Sequence, residues 1–186
     1  MGRVRIIAGL WRRRRLPFPD LPGLRPTPDR VRETLFNWLA PYLAGARCLD
    51  LFAGSGALGF EAASRGAGVV VAVEHSARAA RQLRENAAAL GADTVQVVQA
   101  DALAWLEGVP TRPFDVVFVD PPFAHAELAS EACTRLEARG WLAAGALVYL
   151  ESGDVEPAKA LPAAWRVIRR GKAGGVRYCL ATPSAA

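Results

Sequence analysis

A chain of 186 residues with 52% hydrophobic composition is long enough for one α/β domain with a sizeable core, which excludes a disordered chain and a multidomain array. Its net charge of +5 is unevenly spread: residues 1–32 hold nine arginines against Asp20 and Asp29, leaving the remainder slightly acidic. A basic arm on a near-neutral body suits a polyanionic partner, because arginine forks pair with phosphate and release counterions; a solvated charged tail is the plain alternative.

The arm opens with Arg3-Val-Arg-Ile-Ile-Ala, a loose alternation that reads as a short strand, and Gly9 can turn the chain back through Trp11 to Leu16 as a hairpin. Leu16 to Pro28 is proline-rich and reads as extended loop. Residues 1–26 are accordingly a basic arm with its loop, and residues 27–186 the folded domain. A helix follows, with Thr27 placed to cap it, Pro28 in its first turn, and Val31, Leu35, Trp38, Leu39 and Tyr42 recurring on one face, up to Pro41 near its end.

From Arg47 onward short apolar runs alternate with helical patterns, which predicts a Rossmann-like α/β domain: a mainly parallel sheet covered by helices on both faces. The strands fall at Cys48 to Phe52, Val69 to Val73, Val95 to Val98, Asp115 to Val119, Ala146 to Leu150, Arg166 to Arg169 and Arg177 to Ala181, with helices after the first five. The best defined helix runs from a Ser76 cap to Leu90, stops at Gly91, and carries Ala80, Leu83, Ala87 and Leu90 on one side. Three glycines between Arg170 and Val176 predict a hairpin, and so an antiparallel element at the sheet end.

The first of these strands runs into Ala53-Gly-Ser-Gly-Ala-Leu-Gly, so that Gly54, Gly56 and Gly59 form GxGxxG between a strand and a helix. Glycines there let backbone approach a ligand, with Phe52, Ala53 and Ser55 beside it, although a tight structural turn reads the same way. Glu74 ends the second strand twenty residues past Gly54, where a carboxylate can accept both hydroxyls of a ribose. A nicotinamide dinucleotide would satisfy this much. Asp50 decides for S-adenosylmethionine: an anion beside the turn repels a pyrophosphate but favours the ammonium of a methionine moiety. Asp101, ahead of Ala102, is placed to accept from the adenine amino group, to cap the helix Ala102 to Leu106, or both.

The fourth strand opens into Asp120-Pro121-Pro122-Phe123 at its carboxyl end, where ligands of open α/β sheets bind. The prolines fix the backbone and donate no N–H, so the Asp120 carboxylate and the Pro121 carbonyl can both act as acceptors. An amino group held by both hydrogens turns its lone pair towards a sulfonium methyl for in-line displacement, and Phe123 offers a stacking face for the base. A rigid strand exit is the structural alternative. Carbon methylation of pyrimidines needs a thiolate, and Cys48, Cys133 and Cys179 all lie away from the tetrapeptide. Odd in number and scattered in apolar runs, they argue against disulfides and zinc and for a reducing, cytoplasmic setting. His75 and His125 are isolated, so no metal is expected, and no apolar run approaches the roughly 20 residues of a membrane span.

These residues carry a resemblance to a family. Arg5-Ile-Ile-Ala-Gly-Leu-Trp-Arg, Gly23-Leu-Arg-Pro-Thr-Pro-Asp-Arg-Val-Arg-Glu-Thr-Leu-Phe-Asn-Trp-Leu, the glycine loop, Phe118-Val-Asp-Pro-Pro-Phe and Gly140-Trp-Leu resemble the bacterial small-subunit (16S) ribosomal RNA guanine-N2 methyltransferases that modify guanine 966. The cofactor and catalytic motifs are shared by many amino methyltransferases; Leu24 to Leu39 is the specific stretch. The resemblance implies a seven-stranded class I methyltransferase sheet, S-adenosylmethionine as cofactor, and 16S rRNA in a partly or fully assembled small subunit as partner; the protein is separately expected to act as a monomer. It places the amino chemistry on Asp120 to Phe123. RNA contacts fall to Arg25, Arg30 and Arg32 near the target and to Arg3, Arg5, Arg12, Arg13, Arg14 and Arg15 along the arm. Arg12 to Arg15 is more basic than the family pattern, and Ala124-His125 stands where a more basic loop is expected. Readings from other classes are a DNA adenine-N6 methyltransferase, a nicotinamide-dependent oxidoreductase, and a nonenzymatic RNA-binding assembly factor.

Overall fold

A computed structural model describes residues 1–122, 127–153 and 155–184. The arm folds as the expected hairpin, β1 (Gly2–Arg5) pairing antiparallel with β2 (Arg15–Phe18). Between them Gly9 takes φ +81°, and a Cβ there would fall 1.9 Å from the Ser64 carbonyl oxygen, so only glycine fits the turn. Alternation along β1 turns Arg3 and Arg5 outward and Val4 inward, and past its end Ile6, Trp11 and Leu16 are buried as well. A two-stranded hairpin is marginal alone; burial of such side chains against the domain, about 1.5–3 kcal/mol each, holds it in place. The arm is thus part of the core and not a detached tail.

The first helix, α1 (Asp29–Leu39), runs on through a 3-10 turn at Ala40–Tyr42. Its buried stripe is Val31, Leu35, Phe36 and Leu39; Trp38 is only partly covered and Tyr42 is exposed, because the tightening at Pro41 rotates the last turn off the helical face. Thr27 does not cap this helix: no side chain bonds its first turn, and the Thr27 hydroxyl is engaged elsewhere.

All seven expected strands form one sheet. In chain order the domain continues as β3 (Arg47–Asp50), α2 (Ala57–Ser64), β4 (Val69–Glu74), α3 (Ala77–Leu90), β5 (Val95–Gln99), α4 (Ala102–Leu106), β6 (Phe114–Val119), α5 (Glu127–Ala138), β7 (Leu142–Ser152), β8 (Arg166–Ala173) and β9 (Val176–Thr182). The spatial order is β5-β4-β3-β6-β7-β9-β8, parallel except where β9 pairs antiparallel with β7 and β8. Helix α3 has the expected ends, with Ser76 Oγ accepting from the Ala79 amide and Gly91 left-handed at φ +62°. One apolar cluster packs α1, α2, α3 and the hairpin on one face of the sheet, and a second packs α4 and α5 on the other. Order reverses between β3 and β6, the point at which an open α/β sheet leaves a crevice at its carboxyl edge.

Candidate active site

At that crevice a cavity of about 510 Å³ opens over the carboxyl ends of β3, β4, β6 and β7, roofed by residues 21–27 of the proline-rich loop. Asp50 ends β3, Glu74 ends β4 and Asp120 follows β6, so three acids chosen from three separate motifs meet in one space.

The glycine loop divides its work. Gly54 is left-handed at φ +51° and lines the cavity with Phe52, Ala53 and Ser55. Gly56 and Gly59 do not line it. Gly56 begins α2 at φ +76°, where a Cβ would lie 2.6 Å from Leu83 and Phe60, and a Cβ on Gly59 would come 3.0 Å from the Asp50 carboxylate. These two let the helix close down on the strands, a packing role beneath the pocket.

Glu74 is anchored through both oxygens, accepting from the Gly54 amide at 2.8 Å and the Ser76 amide at 2.7 Å. Each oxygen keeps a further lone pair and the residue lines the cavity, which suits a vicinal diol. Asp50 is 2% exposed and accepts from the Gly59 amide at 2.9 Å. Burial pushes its carboxyl up to about 7; the Gly59 bond opposes the rise and Glu74 adds to it. Such an acid lacks a cation, and an ammonium would supply one. Asp101 caps α4 through the Ala104 amide at 2.9 Å, one of the two readings of that residue, and lines the cavity with Ala102 and Ala100.

Of the tetrapeptide, Asp120, Pro121 and Pro122 line the cavity, and Phe123 lies outside the described residues, as does His125. Asp120 Oδ2 accepts from the Thr27 hydroxyl at 3.2 Å. Burial raises its carboxyl well above the usual carboxylate range, and Glu151 and then Asp50 push it further, with the Thr27 bond opposing. Sequence reasoning missed Glu151. It is 5% exposed, lines the same cavity, and directly follows the expected strand Ala146 to Leu150; a lone acid at the carboxyl end of an apolar strand beside Asp120 was the available signal. The three cysteines are buried, and burial pushes the Cys48 and Cys133 thiols up to about 12, so neither supplies a thiolate.

The arginines separate into two groups. Arg3, Arg12, Arg13, Arg14, Arg15, Arg25 and Arg30 are exposed, Arg25 on the cavity rim, and Arg5 is exposed but paired with Asp29 at 2.8 Å. Arg32 corrects the expectation of an RNA contact. At 1% exposure it is sealed inside, bonded to Asp29, to the Thr27 carbonyl at 3.2 Å and to Glu61 at 3.6 Å. Its partner Glu61, also missed, is wholly buried and accepts from the Ile7 and Ala8 amides at 2.7 and 3.0 Å and from Arg65 at 2.7 Å, fastening the hairpin to α2.

Residues 4–182 match the family described as Conserved hypothetical protein 95. Ribosomal RNA small subunit methyltransferase D of Escherichia coli is 50% identical over 179 residues, covering 96% of this chain and 89% of that protein. The chain belongs to the ribosomal RNA small subunit methyltransferase D family. The Haemophilus influenzae member is 46% identical over 182 residues, covering 96% of this chain and 93% of its own. The solved Escherichia coli structure yhhF, 49% identical and matched over 100% of both chains, superposes with a TM-score of 0.88.

Proposed function

We propose that the protein transfers a methyl group from S-adenosylmethionine to the exocyclic N2 of a guanine in 16S rRNA, on the assembling or assembled small subunit, in the cytoplasm. The observation that carries this reading is the meeting of Asp120-Pro121-Pro122 with Asp50 and Glu74 in one cavity: an amine-holding corner beside an acid pair suited to ammonium and ribose.

The residues fit the cofactor. Glu74 accepts the ribose hydroxyls, Asp50 faces the methionine ammonium, and Asp101 and Ala102 border the adenine, with Gly54 and Ser55 giving backbone approach. Bound there, S-adenosylmethionine supplies a methyl on positively charged sulfur. Asp120 and the Pro121 carbonyl accept the two amino hydrogens and aim the nitrogen lone pair. As the N–C bond forms and the S–C bond breaks, the nitrogen carries one proton too many; Asp120, raised by burial and by Glu151, is a competent acceptor for it. Phe123 gives the base a stacking face. The exposed arginines of the arm and the rim hold phosphate, and a target base leaves its stack most cheaply where it is unpaired. The names of the methyltransferase D relatives support ribosomal RNA over DNA, and the protonated thiols speak against carbon methylation.

The test is nucleoside mass analysis of 16S rRNA from cells lacking the protein, followed by transfer of labelled methyl to that RNA by the purified chain. A missing and then restored N2-methylguanosine is the expected result; a label found in N6-methyladenosine, or on DNA, overturns it.

A further inference from the structure

An acceptor pair around one amine does not by itself choose the base, since guanine and adenine both carry an exocyclic amino group. They differ in the ring atom beside it. Guanine offers N1–H next to its amine, a row of donors, whereas adenine offers the N1 lone pair, a donor next to an acceptor. Reading guanine therefore calls for a second acceptor beside the first.

The sheet supplies one. Val119 pairs with Leu150 in the β6–β7 register, so Asp120, which follows β6, and Glu151, which stays in β7 opposite Tyr178 of β9, stand next in that register, and both line the cavity. Glu151 Oε2 accepts from the Tyr149 hydroxyl at 2.7 Å, and the Thr27 hydroxyl, which donates to Asp120, is near enough to act on the Glu151 carboxyl as well. Burial raises the Glu151 carboxyl and the two hydroxyls pull it back. Glu151 thus combines a hydroxyl donor that holds it in place with access to the cavity, and serves as an acceptor for a ligand edge. The charged groups acting on Asp120 are Glu151 and Asp50, both acidic, so the corner favours a ligand edge made of donors.

We propose that Glu151 is a specificity-determining residue that accepts the N1–H of guanine while Asp120 holds the neighbouring amine. This rests on the guanine-amine reading above. Adenine would set its N1 lone pair against a buried carboxylate, and the corner would reject it through an unmatched acceptor.

The experiment uses the full chain and small subunits reconstituted with 16S RNA carrying either guanine or 2-aminopurine at the methylated position. The analogue keeps the C2 amine and replaces N1–H with a lone pair. The unaltered enzyme is expected to favour guanine by at least about tenfold in kcat/KM, in line with one base-edge contact. Glu151→Gln can turn an amide N–H towards the analogue, so its preference should shrink to within about threefold while S-adenosylhomocysteine binding holds. A variant that slows both substrates equally and keeps the preference makes Glu151 merely structural and overturns the inference. Should that variant not fold, the unaltered enzyme decides: no preference overturns the inference alone, and no methylation of guanine overturns the amine reading and this inference with it.

Discussion

The fold holds two sets of inward-facing acids, Glu61 at the hairpin and three acids at the cavity, and treats them in opposite ways. Glu61 is surrounded by donors: two hairpin amides, Arg65 and Arg32. Asp50, Asp120 and Glu151 have one amide, two hydroxyls and one another. A buried charge is tolerable when its lone pairs are filled, so the first set is finished by folding and the second is left for a ligand to finish. The difference separates a joint from a site more sharply than burial does, since Glu61, Asp50 and Glu151 are each 5% exposed or less.

The largest effect should come from breaking the joint. Glu61→Ala takes the acceptor from the Ile7 and Ala8 amides and from Arg65 and leaves the sealed Arg32 with Asp29 and the Thr27 carbonyl alone, and removal of one member of a buried ionic network costs about 3–5 kcal/mol. Urea unfolding should show that loss, together with proteolytic release of the hairpin. Asp120→Ala should cost no stability, because it relieves repulsion from Glu151 and Asp50. Equal destabilisation by the two substitutions would erase the distinction.

Turnover should respond in reverse. Asp120→Ala removes an acceptor aimed at the reacting nitrogen, and turnover should fall about 10²–10³-fold, the usual cost of losing one positioned hydrogen-bonding group. Calorimetry should show S-adenosylhomocysteine binding nearly as before, because the Asp50 and Glu74 contacts remain. Retained turnover would take Asp120 out of the chemistry.

The acids of the site also set a pH dependence, whose sign follows from Asp50. Its folded value of about 7 exceeds its ordinary 3.8, so the folded protein keeps a proton that the unfolded chain has released. The ligand-free protein therefore loses stability as pH rises from about 4 through 7, with Asp120 and Glu151 adding in the same direction. Cofactor binding runs the other way: protons compete with the ammonium for Asp50, and affinity should weaken by up to about tenfold per pH unit below 7. Melting scans with and without S-adenosylhomocysteine test both slopes, and a ligand-induced shift that does not change with pH would remove Asp50 from ammonium binding.

What was legible in the chain follows the same division. The seven strands, α3 with its caps and the C-terminal hairpin were readable because periodicity, Ser76, Gly91 and Gly174 are local signals. Asp50, Glu74 and Asp120 were readable because each ends a strand and stands inside a motif. Glu61 and Arg32 were not, since a charge on a helix reads as solvent-facing until the hairpin that covers it is in place. Thr27 looked like a cap for an equally local reason, and only the return of β6 beneath it revealed its bond to Asp120. Long-range partners decide these residues, and no spacing rule encodes them.

The smallest effect is the most diagnostic of the arginines. Arg12 and Arg32 carry the same charge and both stood in the expected RNA surface, but Arg12 is exposed on the hairpin and Arg32 is internal. An arginine on phosphate releases counterions, so Arg12→Ala should lower the slope of log affinity against log salt by about 1 or less for 16S rRNA, with stability unchanged. Arg32→Ala should leave that slope alone wherever the protein is still folded, and should lower the unfolding midpoint. Removing Arg12 to Arg15 together should deepen the first effect in steps. A salt slope indifferent to all four would make the arm a solvated face fastened to the domain by Glu61, and the RNA contact would then fall to Arg25 at the rim and to the exposed Arg30.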